Sequence, residues 1–141
     1  MHLVITSDTA PPPSLYARLQ VLATLDGACA LNLRILRVWL FNDGPDAWNS
    51  LQPSPGVLSE RVLQGFDWLL IEAGRRGLQL LPCLTNYWPD YGGMPQYVRW
   101  STQGCSSDPD VFYSDDKCIA WFRGYLTALL TRVRCASSVW M

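Results

Sequence analysis

Two short apolar runs dominate the pattern of hydrophobic and polar positions along the chain. Residues 33–41 and 78–85 are rich in aliphatic and aromatic side chains, and each has the length of a buried strand. Between them, residues 59–76 carry apolar side chains at three-to-four spacing, which predicts a helix with one buried face. The same spacing predicts two further helices, over residues 15–30 and 115–133. Because helices and strands alternate, we expect right-handed crossovers and a parallel sheet.

Capping residues support these helix boundaries. Ser14 follows three prolines and is a suitable N-cap for the first helix, and Ser59 has the same position before the second. Gly77 is placed to end the second helix. One residue conflicts with the pattern. Pro82 lies within the second apolar run, where it would remove a backbone donor from a strand that we expect to be central in the sheet.

The 141 residues are enough for one domain with its own core, and we assign that domain to residues 15–133. Residues 1–14 have the composition of an irregular leader, and residues 134–141 form a divergent tail without periodicity. Within the domain, residues 86–113 form a long polar and aromatic loop, with a short helix near residues 96–100. The chain is therefore predicted to be a single α/β unit with two flanking segments.

Composition and charge exclude several classes of function. The net charge is −1 and the eleven basic residues are scattered, so neither nucleic acid nor a membrane surface is an expected partner. The five cysteines lack the spacing of metal or redox motifs, and glycine-rich nucleotide motifs are absent, so we expect no metal or other cofactor. His2 is the only histidine, which leaves a serine or cysteine nucleophile without a plausible base.

The carboxylates form no obvious catalytic pair. Glu60 and Glu72 are the only glutamates, and their separation of twelve residues on one predicted helix places them ~18 Å apart. Glycosidases need carboxyl groups ~5–9.5 Å apart. Asp43 and Asp90 are better placed, because each follows a strand at the same edge of the sheet. For both we favour turn ordering over catalysis, since aspartate commonly orders Asn-Asp-Gly and Pro-Asp turns.

Aromatic side chains supply the positive evidence for a binding site. Trp39, Trp88, Tyr91 and Trp100 lie at or after the ends of the two strands, where parallel α/β folds build their sites. They are accompanied by amide and guanidinium side chains, namely Arg37, Asn42 and Asn86. Aromatic rings stack on the CH faces of sugars, while such polar groups hydrogen-bond the hydroxyls. The combination indicates a carbohydrate site. Simple core filling is the alternative interpretation of the tryptophans.

Short motifs follow one another along the chain in a characteristic order. They are RVWLFNDG (37–44), LQPSPG (51–56), ERV (60–62), FD (66–67), NYW (86–88), YGG (91–93), QYVRW (96–100), FYSD (112–115) and LLTRV (129–133). Together they cover about residues 28–133 and resemble plant endo-β-1,4-mannanases of glycoside hydrolase family 5. The resemblance implies a (β/α)₈ TIM barrel that hydrolyses mannan internally with retention, using two glutamates.

The resemblance also implies substrate-binding roles for individual residues. Arg37 would support the surroundings of the nucleophile, and Trp39 would contact sugar at the cleavage site. Trp88 and Tyr91 would line the glycan groove, with Asn86 beside them. The implied partner is a mannan-type polysaccharide of the plant cell wall. The implied location is extracellular, although residues 1–14 carry no visible secretion signal.

By the same resemblance, the chain corresponds to about the first three β/α units of a barrel that is not closed. In the family, the catalytic glutamates lie on strands beyond the last helix found here, so neither has a counterpart in this sequence. We therefore expect a truncated mannanase relative that is inactive alone, with open sheet edges and an uncovered apolar face. The alternatives are a non-catalytic fragment that binds mannan or oligosaccharides, and an unrelated small α/β protein.

Overall fold

A computed structural model describes residues 3–4 and 15–137, which form a three-stranded parallel sheet packed against helices. The strands are β1 (Leu3–Val4), β2 (Ile35–Trp39) and β3 (Gln79–Cys83), and their spatial order is β1-β2-β3. Val38 pairs with Leu3 of β1 and with Pro82 of β3, so β2 is the central strand. The parallel pairing confirms the prediction made from the alternation of helices and strands.

In the described residues, four α-helices and one 3₁₀ helix accompany the strands. They are α1 (Leu15–Ala30), α2 (Glu60–Arg75), α3 (Gly93–Ser101), the 3₁₀ helix (Pro109–Tyr113) and α4 (Asp116–Ser137). All the predicted helices form. Helix α4 continues into the segment predicted as a tail, whose last residues, 138–141, lie outside the described part of the chain. None of these helices is both long and apolar enough to cross a bilayer.

The main core lies between one face of the sheet and helices α1, α2 and α4. Its buried side chains are Leu25, Ala28, Val38, Leu40, Leu51, Val62, Leu63, Phe66, Leu69, Ala73, Leu78, Tyr125 and Leu129. Helix α2 contributes more of these buried side chains than any other element, through apolar residues spaced three to four apart. Each large apolar side chain buried there contributes about 1.5–3 kcal/mol to the stability of the fold. A second cluster, around Tyr97, Val98, Phe112 and Cys118, joins α3, the 3₁₀ helix and α4.

The opposite face of the sheet is uncovered in the described structure. Ile35 of β2 and Leu81 of β3 are 59% and 57% exposed. Arg37 pairs with Leu81 across the ladder and is also exposed. Because side chains alternate along a strand, these residues share their face with Trp39. The sheet is therefore one-sided and unclosed, as expected for a part of a barrel.

The short strand β1 corrects the expectation that residues 1–14 are irregular throughout. Leu3 and Val4 pair in parallel with Val38 and Trp39 and give β2 a second neighbour. The free edge of β2 offers unpaired backbone groups, and two residues suffice to bond to it. Two residues are too few to produce a strand pattern in the sequence. The rest of the predicted leader lies outside the described residues.

Pro82 is accommodated because β3 lies at an edge of the described sheet, not at its centre. The Gln79 N–H donates to the Arg34 carbonyl at 2.8 Å. Alternate N–H groups of a parallel strand point to the same neighbour, so the nitrogen at position 82 faces away from β2. Proline therefore removes no donor from the ladder with β2, and the expected conflict does not arise.

An ion-pair cluster joins α2 to α4. The Arg132 Nη2 donates to Asp67 Oδ2 at 2.6 Å and to Glu60 Oε1 at 2.8 Å, and Arg132 Nε also donates to Asp67. These hydrogen bonds raise the pKa of Arg132, and the bond from Arg132 lowers the pKa of Glu60. One planar guanidinium thus bridges two carboxylates of α2, the geometry in which charge-assisted bonds are strongest.

We expect Arg132→Ala to lower the free energy of unfolding by about 1 kcal/mol, because Asp67 and Glu60 lose their shared partner. The measurement is urea unfolding followed by circular dichroism. Arg123→Ala is the matched control, since Arg123 is exposed on the same helix. Its expected change is below about 0.5 kcal/mol. Equal losses in the two variants would show that the ion-pair cluster contributes nothing specific.

Candidate functional site

The candidate site lies at the edge of the sheet where β2 and β3 end. Backbone hydrogen bonds fix the loop that follows β2. The Leu51 N–H donates to the Asn42 carbonyl at 2.8 Å, and the Gly44 N–H donates to the Gln52 carbonyl at 2.9 Å. The Asn42 Nδ2 also donates to Asn49 Oδ1 at 2.8 Å. The residues that follow β2 therefore form an internally bonded loop.

The loop that follows β3 folds back onto this first loop. The Asp43 N–H donates to the Tyr91 carbonyl at 2.9 Å, and the Gly93 N–H donates to the same carbonyl at 3.2 Å. Tyr91, Gly92 and Gly93 have φ angles of 58°, 87° and 57°, so three consecutive residues are in the left-handed region. This tight turn brings the side chain of Tyr91 to the end of β2.

Two glycines allow the loops to touch. A Cβ at Gly92 would lie 2.3 Å from the Asp43 carbonyl oxygen and 2.7 Å from Asp43 Cβ. A Cβ at Gly93 would lie 2.0 Å from Asn86 Oδ1. Real contacts are never this short, so only glycine fits at either position. We refer to Asp43, Asn86, Gly92 and Gly93 as the loop junction.

Trp39 and Tyr91 form an aromatic pair beside the loop junction. Their ring centroids are 5.0 Å apart and the rings are nearly perpendicular, at 87°. The ring of Phe41 also stacks on Trp39, with the ring centroids 5.3 Å apart. Tyr91 is 38% exposed, so its ring is open to a ligand. Two of the five predicted site residues are thus brought into direct contact.

The other three predicted residues lie close by in different arrangements. The Arg37 Nη2 donates to Cys83 Sγ at 3.1 Å, across the ladder between β2 and β3. Asn86 belongs to the loop junction, and its Nδ2 donates to the Asp90 carbonyl at 3.1 Å. Trp88 is 67% exposed and packs edge-on against the neighbouring ring of Tyr87. Trp88 therefore forms a second exposed aromatic surface.

Trp100, which the sequence also placed near the strand ends, has a different role. Its ring packs against Tyr97 with centroids 5.2 Å apart, and it is half-buried at the edge of the second cluster. Helix α3 carries both residues, and their side chains pack within the molecule. For Trp100, core filling is therefore the interpretation that the structure supports.

Asp43 has the most perturbed acidic side chain at this edge of the sheet. The residue is 6% exposed, and neither carboxylate oxygen accepts a hydrogen bond from any described residue. Burial raises the pKa of Asp43 to about 8, and the nearby backbone N–H of Gly93 opposes this only in part. The carboxyl is therefore mostly protonated at neutral pH. The turn-ordering role predicted for Asp43 requires hydrogen bonds to its side chain within the turn, and the carboxyl oxygens accept none from the described residues. The burial of Asp43 gave no signal in the sequence.

Buried polar side chains surround Asp43 on its inner side. The Tyr97 hydroxyl donates to Gln52 Oε1 at 3.3 Å, and the Tyr125 hydroxyl donates to the Leu40 carbonyl. Burial raises the pKa of both tyrosines, and the nearby Asp43 carboxylate raises them further. Sequence reasoning missed Gln52, Tyr97 and Tyr125 as part of the site. The only available signal was the position of the tyrosines on the apolar faces of α3 and α4.

The two glutamates lie at opposite ends of α2, outside the site, as their spacing predicted. Glu60 is bonded to Arg132, and Glu72 forms ion pairs with Arg75 at 2.6 Å and with Arg76 at 2.7 Å. The bond from Arg76 lowers the pKa of Glu72. Across the described residues, no three His, Cys, Asp or Glu side chains converge on a position where a metal ion could bind.

A narrow cavity of about 20 Å³ lies behind the aromatic pair. Its lining includes Trp39, Leu40, Phe41, Asn42, Asn49, Leu51, Val62, Phe66 and Tyr91. That volume is on the order of one water molecule and far below the ~300 Å³ of the smallest enclosed ligand sites. A sugar ring is therefore too large for this cavity.

Known proteins share this sequence pattern. The family described as GH family 5 beta-mannosidase-like matches residues 15–139. Mannan endo-1,4-beta-mannosidase 2 of Arabidopsis thaliana is 42% identical over 120 residues, which cover 83% of this chain and 27% of the relative. Mannan endo-1,4-beta-mannosidase 3 of Oryza sativa subsp. japonica is 38% identical over 124 residues, covering 86% of this chain and 26% of the relative. The chain spans about a quarter of the length of these relatives.

Solved structures agree with the sequence comparison. The endo-beta-1,4-mannanase from Thermotoga petrophila superposes with a TM-score of 0.71 at 26% identity, over 88% of this chain and 27% of that chain. The glycoside hydrolase family 5 mannosidase from Rhizomucor miehei gives a TM-score of 0.64 at 25% identity, over 75% of this chain and 30% of that chain. These neighbours are (β/α)₈ enzymes, so the unclosed sheet corresponds to part of such a barrel.

Proposed function

This chain belongs to the glycoside hydrolase family 5 β-mannosidase-like family, and on that premise we propose that its aromatic pair binds a β-1,4-linked mannan chain. The observation that carries the proposal is the exposed Tyr91 ring, held edge-on against Trp39 where two adjacent parallel strands end. Such rings offer apolar faces to the CH groups of a sugar. The mannan-directed names of the plant and bacterial relatives support this substrate class.

The proposed reaction of the lineage is internal hydrolysis of β-1,4-mannosidic bonds with retention, and the proposed contribution of this chain is about three β/α units of the barrel. The uncovered sheet face, with Ile35 and Leu81, has the apolar character of a barrel interior. Arg37 lies on that face and would support the surroundings of a nucleophile supplied by other strands. We place the protein outside the cell, where mannans of the plant cell wall occur.

The chain by itself is proposed to bind mannan without cutting it. Retaining glycosidases need two carboxyl groups ~5–5.5 Å apart across the scissile bond. Glu60 and Glu72 lie at opposite ends of α2 and are engaged by arginines, so they do not supply such a pair. The alternative, a chain that hydrolyses mannan with its own residues, would need a carboxylate pair at the strand ends. Asp43 is buried there and Asp90 is exposed on the neighbouring loop.

Trp88→Ala is expected to weaken binding of mannohexaose about tenfold, because the variant removes an exposed ring whose stacking contributes up to about 1.5 kcal/mol. Trp88 is 67% exposed, so its loss should leave the fold intact. Isothermal titration calorimetry measures the Kd. Tyr16→Ala is the matched control, since Tyr16 is 69% exposed on α1, and its Kd should stay within roughly twofold of the wild-type value.

The outcomes separate the role of Trp88 from the proposed function itself. Equal affinities of the wild-type protein and Trp88→Ala would remove Trp88 from the binding surface. Absence of any binding of mannohexaose by the wild-type protein would contradict the proposed function. Equal affinity for cellohexaose would contradict the preference for mannan while leaving a general glycan site.

A further inference from the structure

The loop junction does more than connect two loops. We propose that Asp43 and Gly92 are positioning residues whose contact fixes Tyr91 against Trp39 and thereby sets the affinity of the aromatic pair for sugar. The inference rests on the proposed function, because its ligand is the mannan chain. It extends that function to residues that touch no ligand themselves and act through Tyr91.

The backbone of Tyr91 needs this external support. Its φ of 58° is uncommon for an aromatic residue and is unfavourable for its backbone. Such a conformation persists only where its surroundings fix it. Here the Asp43 N–H holds the Tyr91 carbonyl at 2.9 Å, and the Gly92 N–H donates to the Pro89 carbonyl at 3.0 Å. If the bond from Asp43 were lost, the backbone of Tyr91 would relax and carry its ring away from Trp39.

The close approach of Gly92 to Asp43 sets the separation of the loops. An added Cβ would lie 2.3 Å from the Asp43 carbonyl oxygen, whereas ordinary contact begins at 3.4 Å. That oxygen is part of the backbone and cannot rotate away, so the loops would have to separate by about 1 Å. Tyr91 precedes Gly92 directly, and its ring would move with the displaced loop.

The protonation state of the Asp43 carboxyl affects the contact between Asp43 and Gly92. The titratable groups that face it are Tyr97 of α3 and Tyr125 of α4, with Cys83 of β3 beside Tyr125. Burial raises the pKa of both tyrosines, so they stay neutral where Asp43 titrates. A neutral carboxyl fits the junction. An ionised one is only partly stabilised by the nearby Gly93 N–H, so it requires water and would open the junction.

The first test compares Gly92→Ala with Gly104→Ala. Both glycines have nearly the same φ, 87° and 86°, but a Cβ at Gly104 meets nothing within 4 Å. The two variants therefore share a positive φ, and only Gly92 has the close contact. We expect Gly92→Ala to weaken mannohexaose binding at least about tenfold and to change the near-ultraviolet circular dichroism. Gly104→Ala should keep Kd within roughly twofold and leave that spectrum unchanged. Identical behaviour of the two variants would overturn the proposal.

The spectra and a second variant keep the proposal testable if Gly92→Ala folds poorly. Tyr91→Leu lacks the ring, so its spectrum defines the contribution of the aromatic pair. Asp43→Asn keeps the backbone donor and a neutral side chain of the same shape. We expect its Kd to stay constant from pH 6 to pH 9, whereas the wild-type Kd should weaken at least about fivefold as Asp43 ionises. Parallel pH profiles would overturn the proposal.

Failure of the proposed function gives a different result. A wild-type protein that does not bind mannohexaose contradicts the mannan site, whatever the loop junction does. The near-ultraviolet spectra then still test whether Asp43 and Gly92 position Tyr91 against Trp39. Near-ultraviolet spectra of Gly92→Ala that match those of Tyr91→Leu would support the positioning of Tyr91, and spectra that match the wild-type protein would contradict it.

Discussion

The 141-residue chain is expected to be retarded in a gel that contains mannan and to release no new reducing ends from that polymer. A positioned general acid or base contributes about 10²–10⁴-fold to the rate, and retention requires a carboxylate nucleophile as well. Neither glutamate is placed for these roles. We therefore expect a rate at least about 10⁴-fold below that of a complete mannanase. Reducing-end release, measured against mannan endo-1,4-beta-mannosidase 2 of Arabidopsis thaliana at equal concentration, checks this.

Two variants control for trace contamination. Glu60→Gln keeps an oxygen that can accept from Arg132, and Glu72→Gln keeps one for Arg76. Both should fold and should match the wild-type protein in reducing-end release. Hydrolysis that persists equally in all three proteins would exclude the glutamates as its source. Its persistence in Asp43→Asn and Asp90→Asn as well would identify a contaminating enzyme. Hydrolysis by the wild-type protein that disappears in either variant would contradict the proposal that this chain only binds.

The elements that could be predicted from the sequence are those whose signals are local. Helix α2 illustrates this, because Ser59 directly precedes its first residue, the three-to-four spaced stripe includes Val62 and Phe66, and Gly77 follows its end. Each of these signals lies within the element or within two residues of its ends. The spacing predicts helix α1 as well, but it does not specify which apolar residues are buried: Leu19 is 53% exposed, while Leu25 is fully buried. Several apolar stripes are possible on an apolar helix, and packing selects one.

The contact between Trp39 and Tyr91 could be anticipated for a topological reason. Parallel strands that are neighbours end at the same edge, so residues just after β2 and β3 must come close together. Their separation along the sequence is irrelevant to this argument. The same reasoning placed Trp100 near the site and was misleading there, because helix α3 intervenes and carries that ring to Tyr97.

The burial of Asp43 could not be predicted. Asn-Asp-Gly is typical of an exposed turn, and nothing within that motif removes water from the carboxyl. Desolvation comes from the second loop, which approaches only because Gly92 lacks a side chain, and from tyrosines of α3 and α4. Such a site depends on contacts between distant segments. Local patterns of polarity carry no information about it.

Asp43→Asn is expected to raise the free energy of unfolding by several kcal/mol at pH 8 and to remove its decline between pH 5 and pH 8. The pKa of Asp43 is about 8 in the folded protein, against an ordinary value of 3.8. Between these values the folded state holds a proton that the unfolded state has lost. Stability therefore falls as pH rises, by up to about 1.4 kcal/mol per pH unit and on the order of 5 kcal/mol in total. Urea unfolding at several pH values measures it.

Three other acidic residues affect stability at lower pH than Asp43 does. Hydrogen bonds lower the pKa of Glu60, Glu72 and Asp115 below the ordinary values of 4.5 for glutamate and 3.8 for aspartate, so their contributions to stability are lost as pH falls below those values. Asp90→Asn removes the same charge at an exposed position and should follow the wild-type curve. Parallel curves for Asp43→Asn and the wild-type protein would contradict a raised pKa. A small domain has about 5–15 kcal/mol in total, so the loss is a large fraction of it, and Kd values above pH 8 require a far-ultraviolet circular dichroism spectrum that shows the protein folded.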